Sequence, residues 1–193
     1  MKSLAAIVYA LGLLLAAYLV FRVIARRDYL RRGKLGLVST ALESLIWGPF
    51  FAFPYFFNQP GALVSEILDY TGWALIVVGV GAVVLAMGSL GFRRSCGQEV
   101  NSLRTAGLYR VTRNPQIVLG FLIVLGVIVR RPSWYTVAWV LLYGVMAHLM
   151  VMTEEEHLRD VFGGTYDEYC RRVPRYLWLR RPVNDSGVSA AGS

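Results

Sequence analysis

The residues able to do chemistry gather in two polar stretches of an otherwise apolar chain. The first, residues 101–116, reads NSLRTAGLYRVTRNPQ. It places Arg104, Arg110 and Arg113 around Gly107 and Tyr109 and ends on an Asn-Pro step, Asn114-Pro115. Cationic donors, one permissive backbone position and a fixed turn suit an anionic or zwitterionic ligand held where water meets lipid. The second, residues 153–175, reads TEEEHLRDVFGGTYDEYCRRVPR. Glu154, Glu155 and Glu156 repel one another there, so a cation or a donor-rich partner has to lie close by. The arginines of the first stretch can supply it, and so can an ammonium or sulfonium group on a ligand. Thr153 is placed to cap a helix starting at the acidic run. Gly163-Gly164 ends that helix, and Tyr166 and Tyr169 share one face of the turn that follows, beside Cys170.

Composition fixes the setting of these stretches. Of 193 residues, 56% are hydrophobic and 17% charged, and the mean hydropathy is +0.50. That excludes an ordinary soluble domain and predicts an all-α, polytopic membrane bundle. Apolar blocks at 4–24, 35–57, 66–91, 117–129 and 134–152 predict about five transmembrane helices, the fourth short enough to be tilted or only partly spanning. The net charge of +8 sits beside the apolar blocks. Membrane orientation and lipid headgroups account for it there, and no nucleic-acid partner is implied. Two cysteines and two histidines show no metal-ligand spacing, so no metal is expected.

The helices that must hold the two stretches carry their own signals. Pro49 and Pro54 interrupt the second block, which requires neighbours to satisfy the freed carbonyls. Its aromatic run, Trp47 to Phe57, suits an interface belt. Gly72 and Gly79, then Gly81 and Gly88, recur at seven residues and could admit a close neighbouring helix. With five spans, Lys2, Arg130 and Arg131 fall on one side and the other loop cations on the opposite side. The N-terminus is then expected outside, with both polar stretches facing the cytoplasm. The chain divides into N-terminal spans 1–91, a functional core 92–182 and a disordered tail 183–193.

Taken together, the stretches resemble a known family. Leu103-x3-Gly107-x-Tyr109-x3-Arg113-Asn114-Pro115 is similar to the cofactor loop of the integral membrane methyltransferases that include isoprenylcysteine carboxyl methyltransferase and phospholipid methyltransferases. Glu154-Glu155-x2-Leu158-x3-Phe162-Gly163-x2-Tyr166-x2-Tyr169-x3-Val173-Pro174 is similar to that family's C-terminal pattern. The resemblance covers residues 88–174 and none of the first two helices. It implies transfer of a methyl group from S-adenosylmethionine to an amphiphilic or hydrophobic acceptor entering from the bilayer, in a pocket between the two stretches. On that resemblance Leu103, Gly107, Leu108, Tyr109, Arg113, Asn114, Pro115, Glu154 and Glu155 lie on the cofactor side. Arg113, Asn114 and Glu155 lie nearest the reaction, and Asn101, Met150, Tyr166 and Tyr169 lie on the acceptor side.

The departures concern the acceptor. Asn114 stands where the family has histidine, and Ile117 where it has tyrosine. Asn101 stands where the carboxyl methyltransferases have histidine. Apolar residues 149–152 occupy the place of an arginine suited to a carboxylate acceptor. An apolar wall disfavours an anionic acceptor and favours a lipid amine, a small thiol or another hydrophobic molecule. Two other readings stay open. The Tyr169-Cys170 to Val173-Pro174 segment is similar to membrane sterol reductases, which bind NADPH, although the acidic pair would repel its phosphates. A non-catalytic membrane protein that retains the fold is the other.

Overall fold

The computed structural model describes residues 2–57, 65–90 and 102–177. The chain is built from helices: α1 (Lys2–Tyr18), running through a π-helical turn (Leu19–Ala25) into α2 (Arg26–Arg32); α3 (Leu37–Phe57); α4 (Glu66–Leu90); a 3-10 turn (Gly107–Arg110); α5 (Pro115–Arg130); α6 (Trp134–Phe162); and α7 (Gly164–Arg172). Four helical stretches are long and apolar enough to cross a membrane: Ser3–Arg32, Leu37–Phe57, Glu66–Gly88 and Trp134–Phe162. The apolar α5 has 16 residues, or roughly 24 Å at 1.5 Å per residue, short of a hydrocarbon core of about 30 Å. The expected all-α polytopic bundle is what forms, with the short helix in the expected place.

Pairwise contacts set the helix directions. Ser3 Oγ meets Tyr135 Oη at 3.1 Å and Arg22 meets Glu156 at 2.9 Å, so α1 and α6 run parallel. Tyr9 packs on Phe53 and Phe57, and Trp139 on Phe50, so α3 runs antiparallel to both. These three helices enclose the main core, which joins Phe21, Phe50, Phe53, Trp139 and Met146 with Val124 of α5. The core therefore draws on residues from both sides of position 91. Residues 183–193 and Asn101 lie outside the described residues.

Pro54 has no N–H, so the carbonyl of Phe50, four residues earlier, loses its helical partner. The indole Nε1 of Trp139 donates to that oxygen at 2.9 Å in a buried setting, while its ring stacks on Phe50 with centroids 4.9 Å apart. Tyr9 Oη likewise donates to the carbonyl of Pro49 at 3.0 Å. The aromatic run is therefore only partly an interface belt: Phe50 and Phe53 are fully enclosed, whereas Tyr55 and Phe56 are exposed.

Glycine lets α4 and α5 pack backbone to backbone. A Cβ on Gly126 would sit 2.5 Å from the carbonyl oxygen of Gly72, and one on Gly79 would sit 2.8 Å from Ile123. Gly81 and Gly88 face open space among the described residues, so only the first pair of the seven-residue pattern makes the close approach. At the lower end of this hairpin Arg130 bonds Asp69 at 2.9 Å and covers the ring of Trp73 at 4.0 Å.

The acidic run does not start a helix. α6 continues without a break from Trp134 to Phe162, 29 residues or roughly 43 Å. Its start is a capping box, with Ser133 Oγ accepting from the Thr136 N–H and Thr136 Oγ1 accepting from the Ser133 N–H. Thr153 sits inside the helix and donates to the Leu149 carbonyl at 3.1 Å, so it caps nothing. The helix ends at Gly163, whose φ of +51° is a conformation other residues rarely adopt.

Two outcomes follow from this packing. Gly126→Leu should destabilise the protein in detergent by about 1–3 kcal/mol, the usual range for overpacking, and Gly81→Leu should leave the thermal midpoint unchanged. Trp139→Phe should cost about 1–3 kcal/mol through the unpaired carbonyl, and much less in a Pro54→Ala background, where the helix supplies its own N–H. A double-mutant cycle measures this, and additive costs would refute the pairing of Pro54 with Trp139.

Candidate functional site

The two polar stretches meet at the end of α6 that follows the apolar part of the helix. Three backbone-directed bonds zip them together. The Arg113 N–H donates to the Pro174 carbonyl at 3.0 Å, and Thr112 Oγ1 and Asn114 Nδ2 donate to the Arg175 carbonyl at 3.0 and 3.2 Å. Tyr169 Oη donates to the carbonyl of Tyr109 at 2.7 Å. Tyr166, Tyr169 and Val173 form a small core beneath, against Leu103, Leu158, Phe162 and Cys170. Burial pushes the phenol of Tyr169 up to about 12, and it raises those of Tyr109 and Tyr166 further still. All three are neutral hydroxyls at physiological pH.

At the centre is Glu155, with 4% of its side chain exposed. Arg175 grips it in a fork, Nε to Oε1 at 3.1 Å and one terminal nitrogen to Oε2 at 2.7 Å. Arg113 lies 3.3 Å from Oε1 and also donates to Cys170 Sγ. The hydrogen bond that Arg175 donates to Glu155 raises the pKa of Arg175 above its usual value, since the pair favours the charged guanidinium. Two cations on one buried anion leave a surplus positive charge. Two buried donors also have no partner here among the described residues: Arg113 Nε and Gln116 Nε2.

The three glutamates have different surroundings. Glu155 belongs to the two-arginine clamp. Glu156 pairs with Arg22 at 2.9 Å and Arg26 at 3.1 Å, both from the N-terminal helix. Glu154 is exposed and makes no ion pair among the described residues, and it lies within electrostatic reach of Glu43 on α3. Glu155 and Glu156 thus find separate partners on separate faces of α6, and Glu154 has none among the described residues.

Of the residues singled out in the sequence, Arg113, Asn114, Glu155, Tyr109, Tyr166, Tyr169 and Leu103 come together here. Gly107 opens the 3-10 turn with φ of +61°, and Pro115 starts α5 as its first residue, buried. Leu108 is exposed, and Met150 packs against the main core. Sequence reasoning missed Arg175, Thr112 and Gln116. The only pointer to Arg175 was its place directly after Val173-Pro174, a step that turns both carbonyls toward the loop.

A comparison with known proteins adds a family to this geometry. The sequence model described as phospholipid methyltransferase matches residues 68–165. The matched segment takes in most of α4, the loop, α5 and all of α6, including Arg113 and Glu155. No curated protein and no solved structure matches the chain. Apolar spanning helices, the loop joined to the end of α6 and a family match over half of the sequence agree, and this chain belongs to the phospholipid methyltransferase family.

Proposed function

We propose that the chain uses S-adenosylmethionine to methylate a lipid-like or small hydrophobic acceptor at the cytoplasmic face of the membrane. The observation that carries the reading is the clamp itself: a surplus guanidinium charge with a buried, unpartnered donor on Arg113 Nε, and a second such donor, Gln116 Nε2, three residues further along the chain. A carboxylate is the group that suits such donors, and the amino-acid end of this cofactor carries one. Its positive charges suit Glu154, with Glu43 nearby on α3. When bound, the cofactor supplies a methyl group on a sulfonium, already activated toward displacement.

The protein's part is then binding, orientation and exclusion of water rather than nucleophilic attack. Arg113 and Gln116 hold the carboxylate end. Gly107 and Tyr109 shape the loop over the cofactor, and Pro115 fixes where α5 begins. Asn114 gives its amide to the Arg175 carbonyl, which keeps the loop closed over α7. The residues ahead of Glu154, Leu149 to Met152, carry no cation, so this stretch offers no partner to an acceptor carboxylate. Arg22, Arg26, Arg113 and Arg175 lie at the same end of the bundle, which supports a cytoplasmic location for the site by the positive-inside rule.

Calorimetry on the detergent-purified protein tests this reading. S-adenosylhomocysteine should bind saturably. Gln116→Leu, which leaves the clamp intact, should weaken it by about 2- to 13-fold, the value of one hydrogen bond of about 0.5–1.5 kcal/mol. Glu154→Gln should weaken S-adenosylmethionine more than S-adenosylhomocysteine, because only the former carries the sulfonium. Saturable NADPH binding without adenosyl binding would overturn the methyltransferase reading.

A further inference from the structure

A second cleft borders the face of α6 that lies away from the clamp. Glu156 and His157 stand four and three residues before Asp160, so the three share one side of the helix. With Arg26, Tyr29 and Arg159 they line a cavity of about 160 Å³ between α2 and α6. That is well above the space one water needs. His157 decides what the cleft can receive. It is 6% exposed, and its ring stacks on Tyr29 with centroids 4.2 Å apart. The ring also makes a hydrogen bond to the backbone of Gly33, the residue that ends α2. Gly33 already gives its N–H to the Tyr29 carbonyl at 2.9 Å, so the imidazole donates and the Gly33 carbonyl accepts. Nε2 has no partner among the described residues, so the donating nitrogen is Nδ1. With the one proton of the neutral ring on Nδ1, Nε2 is a bare acceptor in the cavity wall. A buried acceptor in that position calls for a hydrogen-bond donor from whatever enters the cleft.

The charges around the cleft narrow the choice of donor. Arg22 and Arg26 share the single carboxylate of Glu156, a surplus of one positive charge, while Arg159 is balanced by Asp167 at 2.9 Å. That surplus disfavours an ammonium facing Nε2 and leaves an uncharged hydroxyl as the fitting donor. It also suits one phosphate: Arg26 spends its Nε on Glu156, and its terminal nitrogens make no other bond among the described residues. Asp160 is exposed and makes no ion pair among the described residues, so its carboxylate is a second acceptor at the mouth of the cleft. Residues three apart on a helix have Cβ atoms roughly 5–6 Å from each other, a spacing that suits neighbouring hydroxyls on one molecule. We infer that this cleft binds a phosphorylated polyol, its phosphate against Arg26 and two neighbouring hydroxyls against His157 Nε2 and Asp160. This chemistry occurs in the headgroups of glycerol- and inositol-bearing lipids and in soluble polyol phosphates. The cleft lies across α6 from Glu155, so the inference stands apart from the adenosyl reading of the clamp.

Native mass spectrometry of the full-length protein in detergent tests the inference with matched probes. Phosphatidylglycerol and phosphatidylmethanol carry the same phosphodiester charge and differ in the headgroup hydroxyls. Wild type should retain the first about tenfold more strongly, a factor within reach of two hydrogen bonds. His157→Phe keeps the stacking on Tyr29 and should cut that preference to about threefold, the share of one hydrogen bond. Asp160→Ala, a change at an exposed position, should narrow the preference likewise and raise retention of phosphatidylmethanol, because a negative charge near the phosphate is gone. Displacement of the lipid by millimolar glycerol 1-phosphate, but not by methyl phosphate, would assign the site to a soluble polyol phosphate. Resistance to both would assign it to the lipid form. Equal retention of the two lipids by wild type would reduce the contact to ordinary annular lipid and overturn the proposal, as would a preference that both variants leave unchanged.

Discussion

A carboxylate buried at a membrane boundary cannot exist unpaired, and the arrangement of this site follows from that constraint. Glu155 needs a cation, and the chain brings two from separate segments, Arg113 from the loop before α5 and Arg175 from beyond α7. Because each arginine is anchored by its own backbone, pairing with Glu155 also fixes where the loop and the C-terminal stretch run. The backbone bonds at Pro174 and Arg175 then follow at short range. The charged group is thus a junction: remove the anion and two guanidinium groups repel each other in a setting with little water to screen them.

The same economy of partners governs the membrane part. In a bilayer a freed backbone group has no water to turn to. Pro54 frees a carbonyl on Phe50, and Trp139 meets it from a helix 89 positions along the chain. Gly72 and Gly126 remove side chains where two backbones must touch. One device satisfies a polar group and the other makes van der Waals contact where hydrophobic driving force is absent. The first holds α3 to α6 and the second α4 to α5, and α6 is the element that delivers Glu155.

The all-α polytopic bundle, the shortness of the fourth apolar block (α5) and the nearness of the two polar stretches were legible in the sequence, because hydropathy blocks and punctuation by proline and glycine are local properties. The need for partners was legible too: Pro54 announced an orphan carbonyl and the glutamate run announced a cation. Which partner answers was not, since Trp139 and Arg175 reach their targets only through tertiary packing. Thr153 misled for a related reason. A threonine before an acidic run has the form of an N-cap, but the hydrophobic helix ahead of it has enough length and packing to run straight through. Glu156 illustrates the other limit: its neighbours in sequence said nothing of Arg22, which lies beyond the reach of any local pattern.

The pairing of α1 with α6 bears on where this protein's working unit ends. Residues 68–165 carry the family signature, yet α6 presents Trp139, Thr153 and Glu156 to helices that lie before that segment. Excised, the segment would turn an indole N–H and a carboxylate toward lipid with nothing to receive them. The family segment is therefore not a transplantable module. The first helices complete it in the way a second half completes a clasp, whatever apolar sequence they otherwise carry, provided they offer a carbonyl at one level of the membrane and a pair of cations at the other.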